Sequence, residues 1–334
     1  GKGGLRDLNT LFWIAQYLHP ADSPTQLLRL DMFTRRELRV FVRAFDFLWA
    51  VRSHLHFATG RAEERLTFDL QPEVARRMGY GSRRSAGEGA DTAAVERFMR
   101  HYFLIAKEVG ALTRTFAAKL EAEHVKPRSH GLSRFLPLPR RRRSQIGAPG
   151  FIVDGDRLSV ATPDVFERDP LNLMRLFLIA DRHDYDLHPD AFAAVTRSLN
   201  LITPALRADP HAVRAFLDVL AHGRQPYASL TLMNETGVLG RFVPEFGRVV
   251  AQMQFNMYHS FTVDEHTLRA VGVIADIQQG RLKADHPLAT QIFPLIADRE
   301  ALYLAMLLHD TGKGDPEGQE KGGARAARKA CTRF

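Results

Sequence analysis

Three residues near the end of the sequence have side chains that could bind a divalent metal ion. His266 lies in one stretch with helical periodicity, and His309 and Asp310 end a second such stretch. At about 100° per residue, each histidine falls on the apolar face of its helix, so we expect both imidazoles to point into the interior. Imidazole nitrogens and a carboxylate oxygen suit a divalent transition metal or Mg²⁺. Such an ion offsets phosphate charge and activates water, which phosphoester hydrolysis requires.

A buried histidine also has a simpler explanation, because its nitrogens can be satisfied by ordinary hydrogen bonds in a core. The spacing alone leaves both interpretations open. Other kinds of site are disfavoured. The sequence contains no G-x-x-x-x-G-K-[ST] phosphate loop and no G-x-S-x-G nucleophile elbow, and Cys331 has no second signature that would make it a nucleophile.

The elements that must position these residues are predicted to be helices. Thr34 and Glu37 match a capping box at the start of a long helix, and Gly60 is a plausible end for it. Asp264 and Asp298 are reasonable N-caps for the two helices that carry the histidines. The periodicity predicts helices over about 5–15, 38–58, 92–123, 170–182, 189–200, 210–221, 229–236, 264–278 and 298–309.

Two features interrupt the helices. Two short apolar runs flank Asp154-Gly155 within 151–160, and this pattern predicts one small β-hairpin. Before it, residues 127–149 carry four prolines and the run Arg140–Arg143, which is typical of a linker. The predicted fold class is therefore mostly α, with one minor hairpin.

Length and composition narrow the class of protein. The 334 residues are enough for about two domains, and 45% hydrophobic with 25% charged residues is ordinary for a globular chain. A single cysteine excludes an internal disulfide and favours a reducing compartment, so we expect a cytoplasmic protein. The longest apolar stretch, Ala301–Leu308, is too short to span a bilayer, and the net charge of +8 lies mostly in local runs. We therefore expect no membrane and no nucleic-acid partner.

The pattern of His266 followed by His309-Asp310 resembles the HD superfamily of metal-dependent phosphohydrolases. The segment 258–268, YHSFTVDEHTL, is similar to the YHxYTVDEHTL segment of the bifunctional uridylyltransferase/uridylyl-removing enzymes. The segment 3–8, GGLRDL, resembles the piece that follows their transferase active site. Segments 237–246 and 307–314 agree as well, so the resemblance covers essentially the whole chain in order.

The resemblance implies a function. Enzymes of this family attach UMP from UTP to PII nitrogen regulatory proteins and remove it by hydrolysis, with glutamine as effector of the full-length protein. It implies Mg²⁺ or Mn²⁺ as cofactor, with His266, His309 and Asp310 as metal ligands. His309 and Asp310 would be catalytic, and His259 or Asp264 would position water or orient a ligand. Lys313 could contact phosphate, although a solvated lysine is the simpler interpretation.

The resemblance also implies a domain plan. We expect a helical domain over 1–127 that follows an absent nucleotidyltransferase domain, and a basic linker over 128–150. A hairpin with connecting helices would occupy 151–255, and a truncated HD domain 256–334. The chain begins at Gly1 rather than Met and lacks the G-S-x-x-R-G transferase motif, so we expect an internal piece of a longer enzyme.

Two departures and two alternatives accompany this hypothesis. The last aspartate of the HD site would lie beyond Phe334, and 318–321 reads GQEK where some relatives have Asp-His-Ser-Glu, which puts a two-metal site in doubt. The chain could instead be a noncatalytic helical scaffold that docks PII. It could also belong to an HD phosphohydrolase that acts on free nucleotides.

Overall fold

The computed structural model describes residues 3–18, 26–29, 33–81, 88–124, 143–253 and 261–334. These residues form two compact units, one of 1–127 with 251–262 and one of 128–250 with 263–334. Both are built mainly from helices, so the prediction of a mostly α fold is confirmed.

The first unit is entirely helical in its described part. Its helices are α1 (Leu5–Leu18), α2 (Gln26–Arg29), α3 (Arg35–Thr59), α4 (Gln71–Arg77) and α5 (Glu88–His124). The long helices α3 and α5 pack against each other and against α1 and α4. Two clusters of buried apolar side chains hold these helices together, one around Phe41 and the other around Phe98.

The ends of α3 follow the sequence prediction. The Thr34 hydroxyl accepts a hydrogen bond from the Glu37 amide at 3.2 Å, and the Glu37 carboxylate accepts one from the Thr34 amide at 2.6 Å. Gly60 ends the helix with φ at +66°, a conformation that other residues rarely adopt. The capping box and the glycine stop are therefore confirmed.

The second unit contains a small four-stranded sheet in the order β1-β2-β3-β4. The strands are β1 (Arg143–Gln145), β2 (Phe151–Asp154), β3 (Arg157–Val160) and β4 (Asp186–Leu187). Strands β1 to β3 are antiparallel, and β4 lies parallel to β3 with Leu158 opposite Leu187. The predicted hairpin is confirmed as β2 and β3. Strand β1 lies within the segment predicted as a linker, because 143–145 gain hydrogen-bond partners on β2 that local composition does not reveal.

Helices make up the rest of this unit. They are α6 (Val165–Arg168), α7 (Asn172–His183), α8 (Pro189–Arg197), α9 (Pro204–Ala208), α10 (Pro210–His222), α11 (Pro226–Thr236), α12 (Val238–Phe242), α13 (Pro244–Gly247), α14 (Val263–Gln278), α15 (Pro287–Ile292), α16 (Arg299–Leu308) and α17 (Gln319–Cys331). One hydrophobic core runs from Phe151 in β2 to Ala330 in α17. Segments 151–255 and 256–334, predicted as separate domains, thus supply residues to one core.

The N-cap predictions have different outcomes. The Asp298 carboxylate accepts a hydrogen bond from the Ala301 amide at 2.9 Å and caps α16. Asp264 is not an N-cap, because α14 begins at Val263 and places Asp264 inside its first turn.

None of the helices in the described part of the chain combines the length and the apolar character that crossing a bilayer requires.

Candidate metal centre

The candidate site lies where α14 meets the end of α16. His266 is in the first turns of α14, and His309 and Asp310 directly follow the last residue of α16. The two helices pack against each other, and the Tyr303 hydroxyl of α16 donates a hydrogen bond to Gln278 Oε1 of α14 at 2.7 Å. These contacts bring together residues that are more than forty positions apart in sequence.

The three side chains converge on a small volume. His266, His309 and Asp310 can each offer one ligating atom so that all three atoms lie within 4.8 Å of one another. Asp310 Oδ2 lies 3.8 Å from His266 Nε2 and 3.2 Å from His309 Nε2. The two imidazole centroids are 5.9 Å apart. This spacing leaves room for one cation between the nitrogens and the carboxylate.

The exposure of these residues differs from the prediction. The side chains of His266 and His309 are 45% and 36% exposed, whereas that of Asp310 is only 5% exposed. The expectation that both imidazoles point into the interior is therefore wrong. Of the apolar residues near His266 in helical projection, Val263 is buried but Val273 is 43% exposed. The cluster is thus open to a ligand from solvent.

One imidazole has its tautomer set by the main chain. His309 Nδ1 lies 2.6 Å from the Met306 carbonyl oxygen, which can only accept, so Nδ1 carries the proton. In the neutral imidazole, Nε2 then carries the lone pair, and it lies 3.2 Å from Asp310 Oδ2. Most metal-binding histidines are oriented in this way, by a hydrogen bond from the ring nitrogen that does not bind the metal.

The Asp310 carboxylate is enclosed by polar groups. The Lys313 ammonium lies 2.7 Å from Oδ2, and the Gln319 amide donates a hydrogen bond to Oδ1 at 3.1 Å. Although Oδ2 has this ion pair, it is buried and no described residue contacts it with hydrogen-bond geometry. The three side chains offer two imidazole nitrogens and one carboxylate oxygen within reach of a single ion. This donor set fits a divalent metal ion.

Lys313 lies in a position that the sequence interpretation did not favour. Its side chain is only 7% exposed, so the simpler interpretation of a solvated lysine is wrong. It reaches Asp310 because the two residues are three positions apart in the turn that follows α16. The formal charges of Lys313 and Asp310 cancel in this arrangement.

Asp264, another predicted site residue, lies apart from this cluster. The Asp264 carboxylate is buried and accepts a hydrogen bond from Asn234 Nδ2 of α11 at 2.9 Å. It lies about 160° around α14 from His266, since the two residues are two positions apart. His259 lies outside the described residues.

The neighbouring acidic residue on α14 is also directed elsewhere. Glu265 accepts a hydrogen bond from the Tyr227 hydroxyl at 2.9 Å and pairs with Arg269 at 2.6 Å. Burial, followed by this bond to Glu265, raises the pKa of Tyr227. Glu265 therefore links α11 to α14.

Gln319 is the residue of the site that sequence reasoning missed. It is the first residue of α17, and its amide reaches the buried Asp310 carboxylate. In the sequence, the position is marked by the difference at 318–321, which reads GQEK where some relatives have Asp-His-Ser-Glu. By itself this difference indicates only the loss of an acidic ligand.

Glycines allow α17 to come this close. A Cβ atom on Gly312 would overlap the Gln319 carbonyl and the Gly323 amide, and one on Gly322 would overlap the Asp315 side chain. The loop after Asp310 therefore packs directly on the backbone of α17, and this contact fixes the position of Gln319.

The segment 3–8 has a structural explanation within the first unit. Asp7 Oδ2 accepts hydrogen bonds from the amides of Gly3 and Gly4, at 2.5 and 3.3 Å, at the start of α1. Gly3 has φ at +82°, and a Cβ there would overlap the Ala106 carbonyl of α5. The glycine thus allows α1 to approach α5 closely, and the aspartate accepts hydrogen bonds from two amides at the start of α1.

Together, the fold and the site define a mostly helical protein with a His-His-Asp candidate metal centre. Residues 1–117 match the family model described as GlnD PII-uridylyltransferase, and residues 151–242 match the model described as the third domain of uridylyltransferase GlnD. No solved structure matches the chain.

Curated relatives match over the whole of this chain. It is 68% identical over 334 residues to a bifunctional uridylyltransferase/uridylyl-removing enzyme of Caulobacter vibrioides (strain NA1000 / CB15N) and 67% identical to one of Phenylobacterium zucineum (strain HLK1). In each case the match covers 100% of this chain and 35% of the relative, so the chain spans about a third of their length. Over its whole length the chain is therefore similar to part of the bifunctional uridylyltransferase/uridylyl-removing enzymes.

Proposed function

We propose that this chain carries the metal centre of the uridylyl-removing activity, with His266, His309 and Asp310 as the ligands of Mg²⁺ or Mn²⁺. The substrate would be a PII protein that carries UMP, and the products would be PII and UMP. The observation that supports this most strongly is the convergence of the three ligating atoms within 4.8 Å around a buried carboxylate oxygen.

The chemistry divides between the ion and the protein. When bound, the metal would offset the charge of the phosphodiester and activate water for attack on phosphorus. The chain would hold His309 in the tautomer with Nε2 available, through the Met306 carbonyl. It would also hold the Asp310 carboxylate, shielded from water, between Lys313 and Gln319. The partial exposure of both imidazoles gives the phosphate group of a large protein substrate access to the site.

The wider activity is part of the same proposal. We infer that the full-length protein also transfers UMP from UTP to PII, and that glutamine controls the balance between transfer and removal. The support is the 68% identity of the chain to a bifunctional uridylyltransferase/uridylyl-removing enzyme and its match to the GlnD PII-uridylyltransferase family model. The transfer chemistry itself needs residues that this chain does not contain, since the G-S-x-x-R-G motif is absent from its sequence.

The test replaces Asp310 with Asn in the full-length protein and measures UMP release from UMP-modified PII. Asp310→Asn keeps the shape of the side chain but removes the negative charge, so removal should be abolished while transfer persists. Asp315→Asn is the matched control, because Asp315 lies in the same loop but pairs with Arg325. Normal removal by Asp310→Asn would refute the assignment of the site.

Two further outcomes separate the alternatives. Faster hydrolysis of free nucleotides than of UMP-modified PII would favour a nucleotide phosphohydrolase. Unchanged removal in both Asp310→Asn and His309→Ala, with weakened PII binding to variants of the surrounding surface, would favour a docking scaffold.

A further inference from the structure

The two oxygens of the Asp310 carboxylate have different environments. Oδ1 accepts a hydrogen bond from Gln319 Nε2 at 3.1 Å, whereas Oδ2 faces both imidazoles and the Lys313 ammonium. A carboxylate can only accept hydrogen bonds, so the Gln319 atom that meets it is the amide nitrogen. The hydrogen bond therefore restricts rotation of the carboxylate about its last torsion.

We propose that Gln319 is a positioning residue that commits Asp310 to bind a cation through Oδ2 alone. This inference rests on the proposed metal centre and adds a residue to it. With Oδ1 held by the amide, the carboxylate presents one oxygen to the space between His266 and His309. The arrangement then suits a single divalent cation, with Gln319 outside its ligand set.

The chemistry of an amide is suited to this role. Gln319 donates a hydrogen bond to an ionised oxygen without adding charge, and hydrogen bonds to ionised groups are about twice as strong as neutral ones. A carboxylate at the same position would offer only acceptors to Oδ1 and would repel Asp310. The glutamine thus keeps the negative charge of the site on Asp310.

The fold fixes the amide at the required place. Gln319 is the first residue of α17, whose backbone packs on Gly312, two residues after Asp310. Because the backbone of Gln319 is already held next to the loop, the choice of side-chain rotamer alone brings its amide to Oδ1. Groups that orient a metal ligand in this way commonly change metal affinity by about 10- to 100-fold when they are removed.

The experiment measures Mn²⁺ binding to the full chain by isothermal titration and by the electron paramagnetic resonance of free Mn²⁺. The wild type should bind one Mn²⁺, and His309→Ala should not bind it. Gln319→Met keeps the length of the side chain but has no donor, so its affinity should fall by about 10- to 100-fold. Gln279→Met, which removes an amide that donates to the Arg224 carbonyl, should bind as the wild type does.

Thermal unfolding in the absence of metal separates positioning from folding. Gln319→Met should unfold close to the wild-type temperature, because Gln319 itself lies at the surface. A fall in unfolding temperature with unchanged Mn²⁺ affinity would mean a structural role and would overturn the inference. Binding by Gln319→Met equal to wild type, with none by His309→Ala, would overturn it and leave the metal centre intact. If the wild type binds no Mn²⁺, or His309→Ala binds as the wild type does, both proposals fail.

Discussion

Lys313 and Asp310 form an ion pair that a divalent metal would have to share or displace. The Lys313 ammonium lies 2.7 Å from Oδ2, the same oxygen that faces the two imidazoles. Both side chains are more than nine-tenths buried, so solvent screens the pair only weakly. The lysine therefore supplies the positive charge that a buried carboxylate requires, and it lowers the affinity of Asp310 for another cation.

This arrangement predicts opposite effects of one substitution on stability and on metal affinity. Lys313→Met removes the ammonium and leaves Asp310 buried without its counter-charge, which should destabilise the metal-free protein by about 3 kcal/mol. The same change removes a competing cation, so Mn²⁺ should bind about tenfold more tightly. Denaturant unfolding with and without Mn²⁺ measures both effects.

Lys321→Met is the control for this prediction, because Lys321 is an exposed lysine on α17. It should change neither stability nor affinity noticeably. Weaker Mn²⁺ binding by Lys313→Met would contradict the prediction and would mean that the lysine supports the bound ion.

At the scale of the elements, the close approach between α17 and the loop after Asp310 determines the geometry of the site. Gly312 has no room for a Cβ atom, because the Gln319 carbonyl and the Gly323 amide occupy that space. Any larger residue must therefore push α17 away from the loop. The hydrogen bond between Gln319 and Asp310 depends on this contact.

The substitution Gly312→Ala should destabilise the second unit by roughly 1–3 kcal/mol, as overpacking of a tight contact does. Hydrogen–deuterium exchange should show faster exchange in α17, since the helix loses its packing against the loop. Mn²⁺ affinity should fall in parallel.

Gly110→Ala provides the comparison for this variant. Gly110 lies in the interior of α5, and nothing lies within 4 Å of a Cβ built there. Alanine should therefore stabilise α5 by roughly 0.5–1 kcal/mol, through its better helix propensity. Equal effects of the two substitutions would argue against a steric role for Gly312.

At the scale of the molecule, one buried ion pair joins distant parts of the second unit. Arg333, which follows α17, contacts the Glu245 carboxylate of α13 at 2.6 and 3.2 Å. The side chain of Glu245 is 2% exposed. Burial acts to raise the pKa of Glu245, but the hydrogen bonds and charge of Arg333 outweigh it and hold the pKa below its usual value.

The sign of this shift gives a pH dependence. Because the folded-state pKa is lowered, the pair contributes fully to stability above the pKa of an unfolded glutamate, about 4.3. The contribution is lost as the pH falls through the lower folded-state pKa. Unfolding free energies measured between pH 7 and pH 3 should therefore fall less steeply in Arg333→Met than in the wild type.

Arg333→Met should lower the free energy of unfolding by about 3–5 kcal/mol at pH 7, because it leaves Glu245 buried and unpaired. Arg168→Met is the matched control: Arg168 pairs with Asp164 at 2.7 Å, but both side chains are largely exposed. Its cost should be about 0–1 kcal/mol. A similar cost for both variants would show that burial does not set the strength of the Glu245 pair.

Features that depend on neighbours along the chain could be predicted from the order of the residues. Thr34 and Glu37 are three residues apart, so their capping box follows from local geometry, as do Gly60 at the end of α3 and the hairpin of β2 and β3. The candidate metal centre was also predictable from the sequence, because the types and order of its three ligands match a family pattern.

Which side chains meet, and how much solvent reaches them, depends on the packing of helices that are distant in sequence. Helical projection placed both histidines on apolar faces, but the packing of α14 on α16 leaves them partly exposed. Asp264 looked like a cap or a site residue, yet a buried asparagine from α11 binds it. Gln319 reaches Asp310 only because Gly312 lets α17 approach the loop. Burial and contact depend on which two helix surfaces pack together. The periodicity of apolar residues along the sequence describes only one of those two surfaces.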